Sequence, residues 1–461
     1  MGGAVKGAGD QRTLIAGPLE TKYRASRSFR NVSDSSHLTP THWHVAISNA
    51  LGWGFDGMDF AILGLVTPLL MKEFGIALPE FRSGVQFLGI AAVAGSLIWP
   101  WLADRYGRRT ILAINIALFS VFMPIAATAP TWSWFILAYL VVRFSLAGEW
   151  SIGAPLVAES WPAKYRGLIL GANRSFYSVG IALAGLLTTF IAAEYGWRVA
   201  FVVPGAVAVL AIYIRALVPE SPEWVRAQDR LRRITADLAA QRPLSVEDSN
   251  WFARAKQVEL WQIFLPDVRW TTLIVTLVYA GISTAFTTMT YFMPLFLSEA
   301  HGWSTAQYGV FLTWWGIVGI PAYSILGGLS DKLGRRPTFV TCLVLAALFL
   351  AIWAYTNDRL MLWVLGMIWA FAFAGIFGPL ASYLSEMYPT RARATGTGFT
   401  IAVAYFISLV LWPYVLVWLR ETTGSFRDGF VVSAGLLLLV ALIVWLSSAD
   451  GARKELDAIS V

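Results

Sequence analysis

Residues 104–110 read DRYGRRT and residues 331–337 read DKLGRRP, two stretches 227 positions apart. A second pair keeps the same offset: ESWPAKYRG at 159–167 and EMYPTRARA at 386–394. Two different motifs sharing one spacing make the chain a duplication of a single unit. The sequence around them is strongly apolar, as in LGIAAVAGSLIWPWLA (88–103) and SAGLLLLVALIVWLSS (433–448). Hydrophobic residues make up 57% of the 461 and charged ones only 14%, against roughly a quarter charged in a soluble domain. Apolar runs near the ~20 residues that cross a bilayer as helix recur twelve times. They fall at about 44–71, 83–103, 110–128, 132–156, 168–193, 197–217, 270–298, 307–329, 338–356, 361–385, 395–419 and 429–448. The expected fold is therefore an all-α integral membrane protein, twelve transmembrane helices in two pseudo-symmetric six-helix bundles. Its expected parts are a tail (1–43), a first half (44–217), a polar linker (218–268), a second half (269–448) and a short tail (449–461).

Charge sets the orientation. With the N-terminus inside, inner segments carry 27 of the 35 Lys and Arg, the outer loops carry 6, and Arg143 and Arg174 stand inside spans. Cytoplasmic loops are the ones enriched in Lys and Arg, so both termini are expected in the cytoplasm. The formal net charge of +7 then reflects topology and anionic headgroups. Its scatter over many loops argues against a nucleic-acid partner. One cysteine, Cys342, excludes an internal disulfide, and four His, none deep in a span, leave no catalytic or metal-ligating constellation. Neither an enzyme nor a cofactor is indicated, and the energy source expected is a proton gradient.

The paired loops resemble the signature of the major facilitator superfamily, and the resemblance covers all twelve spans. PESPEW (219–224) is similar to a sequence of its sugar-porter and metabolite-symporter branches. DGMDF (56–60) and GEWSIGAPLVAESWP (148–162) look most like metabolite:proton symporters, carriers of sialic acid, lactate-like monocarboxylates and aromatic acids. In one place the chain departs from that pattern: Pro100 stands where the first loop motif normally opens with Gly, which the second half keeps as Gly327. The resemblance implies an alternating-access transporter, a monomer in the bacterial inner membrane, taking up a small organic acid with protons. Drug antiporters of the superfamily carry a Gly-Pro pair in the fifth span, and 168–193 has no proline; sugar porters line the seventh span with glutamine, and 270–298 has none. A neutral-metabolite porter and a transporter-like nutrient sensor are the alternative readings.

The duplication also locates the chemistry. Asp104, Arg108, Arg109, Glu159 and Arg166 have counterparts in Asp331, Arg335, Arg336, Glu386 and Arg393, so these loops are expected to form a shared cytoplasmic gate of ion pairs. Inside the spans the symmetry breaks. At the shared offset Asp56 is matched by Ser283, Asp59 by Phe286, Arg143 by Ala370 and Glu149 by Ile376, and Arg174 has no charged counterpart either. Charge confined to one half points to chemistry rather than mechanics. Asp56 and Asp59 share a helix face, and a rise of 1.5 Å per residue puts Asp56 about 18 Å in from His44. Charged groups at such depth cost ~2.5–3.5 kcal/mol each, so they are expected to line a polar cavity and to pair. Asp56, Asp59, Arg143 and Glu149 are the expected proton-coupling set, with Arg174 as ligand to a substrate carboxylate. In YAGISTAFTTMTYFMP (279–294), Tyr279, Ser283, Thr287 and Tyr291 recur every four residues and form the expected neutral wall, with Trp314, Trp315, Tyr383 and Tyr405 as further candidates.

Overall fold

The computed structural model describes residues 38–256, 263–266, 268–388 and 393–447. Most of the expected tails, and the side chains of Arg166, Asp331, Glu386 and Arg393, lie outside the described ones. The first half holds α1 (Pro40–Phe74), α2 (Leu78–Tyr106), α3 (Arg108–Ala127), α4 (Trp132–Leu146), α5 (Glu149–Ser160), α6 (Ala163–Leu187), α7 (Ala193–Tyr195) and α8 (Trp197–Leu217). Two amphipathic helices follow in the linker, α9 (Pro222–Ala239) and α10 (Val246–Lys256). The second half holds α11 (Arg269–Thr287), α12 (Met293–His301), α13 (Thr305–Leu333), α14 (Arg335–Tyr355), α15 (Arg359–Met387), α16 (Arg393–Tyr405), α17 (Trp412–Thr423) and α18 (Arg427–Ser447). Among the described residues there is no strand, and ten helical stretches are long and apolar enough to cross a membrane. The other two expected spans correspond to α8 and to α4–α5, divided at Ala147–Gly148.

Local sequence accounts for the ends. In α1, Pro40 occupies the first turn, where its missing N–H costs nothing, and Gly75 at φ 63° closes the last turn in the left-handed region. The duplicated loops have one backbone shape. Gly107 (φ 99°, ψ 140°) joins α2 to α3, and Gly334 (φ 103°, ψ 143°) joins α13 to α14. Each lets one span turn into the next within a single residue, at a φ that side-chain-bearing residues rarely adopt.

Three spans are interrupted by wide π turns, at Thr188–Ala192, Thr288–Phe292 and Phe406–Leu411, a feature often found at functional sites. The halves meet along α6 with α13, α1 with Thr288–Phe292, and α2 with α16 and Phe406–Leu411. Their tightest contacts gather at the end of the bundle away from the chain termini. Gln86 Nε2 there donates to the Val410 carbonyl at 3.0 Å. A Cβ on Gly309 would fall 2.6 Å from Thr189 Oγ1, and one on Gly64 would collide with the Thr290 carbonyl. Small residues permit this backbone approach between membrane helices. The Pro100/Gly327 departure has a local counterpart: Gly327 packs directly on Gly378 of α15, whereas Pro100 sits within α2.

Candidate functional site

Between the halves lies a cavity lined by residues of both. Of the sequence-predicted residues, Asp56, Arg174, Tyr279, Ser283 and Thr287 line it, as do Trp315 and Tyr405. Tyr291 does not; it is buried against Phe60, ring centres 5.0 Å apart. The four-residue stripe holds along α11 and fails at Tyr291 because that residue lies in the π turn, whose extra residue rotates the helix face. Trp314 is half exposed on the bundle exterior, and Tyr383 is buried away from the cavity.

Four of the remaining lining rings form a nearly parallel stack. Phe60 stacks on Phe286 (4.9 Å, 26°), Phe286 on Phe373 (5.8 Å, 3°) and on Trp315 (6.2 Å, 24°). Arg174 enters from α6 with its guanidinium 4.3 Å from the Trp53 ring and 4.9 Å from that of Phe377, so both halves contribute to its surroundings. Arginine's planar fork matches a carboxylate while its face stacks on rings.

Asp56 and Asp59 share a helix face but not an environment. Asp59 has no exposed surface: Arg143 donates to its Oδ2 at 2.6 Å and Tyr139 Oη donates to its Oδ1 at 2.7 Å. Arg143 also sits 5.0 Å from the ring of Phe60, which lines the cavity. Asp56 is half-buried on the cavity wall and forms no direct ion pair among the described residues. Arg143, Asp59, Glu149 and Arg174 are within its coulombic reach.

Glu149 is not joined to that pair. It opens α5 and is ion-paired with Arg215 near the end of α8, each 1% exposed. Arg215, counted above with the inner linker, is thus a bundle residue. Its place within the sixth apolar run, opposite an unmatched Glu149, was the available signal. Of the residues expected at the gate, Arg108 pairs with Glu159, and residues of PESPEW join the same loop. Glu220 accepts from the backbone N–H of Arg108 (2.9 Å) and Arg109 (3.2 Å), capping α3, and Trp224 Nε1 donates to the Asp104 carbonyl at 2.8 Å. Burial holds the Glu220 carboxyl above its usual range despite these donors. Arg336 is instead bound to the Trp445 carbonyl and ring.

Known proteins match this chain over most of its length. The Niacin transporter NiaP of Acinetobacter baylyi (strain ATCC 33305 / BD413 / ADP1) is 27% identical over 89% of this chain and 94% of that protein. The Benzoate transport protein of the same strain is 26% identical, over 84% and 85%. Among solved structures, the inward open conformation of the xylose transporter XylE from E. coli superposes with a TM-score of 0.71 at 18% identity, over 91% of this chain and 99% of that one. The family model of the Major Facilitator Superfamily matches residues 50–413 and again 275–458. The chain belongs to the Major Facilitator Superfamily and is a multi-pass membrane transport protein rather than an enzyme.

Proposed function

We propose that this protein carries a small organic acid anion, a planar aromatic carboxylate by preference, across a bacterial inner membrane together with protons, by alternating access. One observation supports this reading above the others: Asp56 and Arg174 share a cavity with a parallel stack of rings and several hydroxyls. The relatives named for niacin and benzoate transport agree with it. The substrate carboxylate binds the Arg174 fork, its ring lies among Phe60, Phe286, Phe373 and Trp315, and Tyr279, Ser283 and Thr287 supply neutral hydrogen bonds.

Coupling follows from charge balance. A carboxylate in a closing cavity is driven toward its protonated form by desolvation and toward its ionised form by a nearby arginine. With the cavity empty, Asp56 is the anion facing Arg174 and Arg143. An entering substrate anion takes over that role, and Asp56 accepts a proton. Asp59, held by Arg143 and Tyr139, keeps its charge until the bundle rearranges. The tight inter-half contacts at the end away from the termini close that side, which the excess of basic inner loops makes the outer one; this conformation opens to the cytoplasm.

The test is uptake into proteoliposomes of nicotinate, benzoate, 4-hydroxybenzoate, lactate, sialic acid and glucose, with and without an inwardly directed proton gradient. Accumulation of an aromatic acid driven by the gradient supports the reading. Gradient-independent flux of glucose contradicts it.

A further inference from the structure

A second polar cluster lies in the first half, outside the cavity. Glu149 and Arg215 are joined by Asn49 of α1, itself 1% exposed. Among the described residues, four polar atoms here have no hydrogen-bond partner: Asn49 Oδ1, Asn49 Nδ2, Glu149 Oε2 and Arg215 Nε. Two glycines let these side chains pack directly against the backbone of α1 and α5. A Cβ on Gly52 would lie 2.7 Å from Glu149 Cδ and 2.9 Å from an Arg215 nitrogen. One on Gly153 would collide with Asn49 Oδ1 and lie 3.7 Å from Glu149 Oε1. Asn49 Oδ1 and the Arg215-bound Oε1 of Glu149 both lie beside Gly153.

An ion pair that served only to join α5 to α8 would have its hydrogen bonds met, since buried polar groups are satisfied in more than nine cases in ten. Polar atoms grouped in this way are the setting in which buried water is held, with about three hydrogen bonds per molecule. The cluster is also in line with the cavity. Gly52, against which the Glu149 carboxyl packs, is one turn from Asp56 on the same face of α1, and Asn49 is seven residues from Asp56, about 10 Å along the helix. Asp56 and Glu149 are within coulombic range of each other. The remaining charges facing Glu149 are Arg215 from α8 and, through Asp56, the Asp59–Arg143 pair.

We propose that Glu149 is a second proton station, lying between Asp56 and the end of the bundle that carries the termini. This rests on the proton-coupled reading and adds a route to it. The protonated Asp56 carboxyl gives its proton to a water, which delivers one to the Glu149 carboxylate. One O–H bond breaks at Asp56 and one forms at Glu149, the water forming one and breaking one, and Arg215 exchanges an ion pair for a hydrogen bond to a neutral acid. The group keeps its net charge, because Asp56 becomes the anion as Glu149 is neutralised. Asn49 orders the water and accepts or donates as the transfer requires.

The experiment compares wild type, Glu149→Gln, Glu149→Gln/Arg215→Gln and Asp56→Asn in proteoliposomes, with labelled nicotinate as probe. Gradient-driven accumulation and gradient-free exchange are both measured, with infrared difference spectra of the purified proteins between pH 5 and pH 8. The proposal predicts that Glu149→Gln keeps exchange within about twofold, loses at least tenfold in accumulation, and lacks a protonated-carboxyl band present in wild type. It is overturned if Glu149→Gln accumulates nicotinate as wild type does or keeps the full set of carboxyl bands. It is also overturned if exchange and accumulation fall together and the double variant restores both, the signature of a purely structural pair. Should Asp56→Asn abolish accumulation while Glu149→Gln does not, the coupled reading stands and the second station falls. A wild type indifferent to the gradient removes the coupled reading itself, and the infrared bands then decide whether Glu149 exchanges protons at all.

Discussion

Asp59 and Arg143 are each other's condition for being buried. Breaking a buried pair by removing one partner leaves an uncompensated charge and costs about 3–5 kcal/mol. Arg143→Met should therefore lower folded yield and thermal stability in detergent sharply. Asp59→Asn added to it should restore stability without restoring coupled transport; a double variant no more stable than Arg143→Met would show that the pair is not what fixes this part of the fold. Arg174 is a different case, half-buried and stacked. Arg174→Lys keeps the charge but loses the fork and the stacking, so KM for an aromatic acid should rise about tenfold or more, equivalent to ~1.4 kcal/mol, with melting temperature little changed. A KM that stays put would move the carboxylate ligand elsewhere. Much of the residue-level site was legible in the sequence, since helix periodicity and depth are enough to bring Asp56, Arg174, Tyr279, Ser283 and Thr287 to one cavity. Asp59 and Asp56 share a face, yet which of them meets Arg143 depends on where α4 packs, and that is a tertiary fact.

At the level of elements, what the sequence hid was mostly irregular backbone. A period of four carries through α11 and breaks in the Thr288–Phe292 turn, so Tyr291 faces Phe60 instead of the cavity. The α2–α3 loop shows the same limit: loop charges were visible as a repeated motif, but Glu220 reaches them only because Val218–Ser221 folds back under α3. The pH dependence of that contact has a definite sign. A carboxyl held above its usual pKa favours the folded state most when protonated, and that contribution is lost as pH rises through the folded value. Glu220→Gln keeps an acceptor for the α3 amides and removes the cost of ionisation. It should match or exceed wild-type thermal stability at pH 7, with the difference shrinking toward pH 4; a difference that grows on acidification would contradict the burial argument. The α6–α13 contact is open to a separate test. Gly309→Val cannot fit beside Thr189, so spin labels on exposed Phe190 and Trp314, in a Cys342→Ser background, should report a longer distance than without the substitution. An unchanged distance would mean that this contact does not close the bundle.

Across the whole molecule, duplication and asymmetry divide the work. The 227-residue offset reappears in the backbone, where Gly107 and Gly334 adopt the same turn, and the architecture was readable for that reason: loop motifs and apolar runs are local signals. The first half alone carries charge inside its spans, and the structure gathers it into two buried ion pairs with Asp56 between them. The second half contributes rings and hydroxyls. The cavity's aromatic character was not legible, because it is assembled from six helices whose contributing residues look like ordinary apolar positions in each. The measurement that tests the account most directly is nicotinate and benzoate uptake into proteoliposomes holding wild type or Asp56→Asn, under an imposed proton gradient. The account predicts gradient-driven accumulation in wild type and none in the variant, with exchange retained. Equal accumulation by both proteins would contradict it.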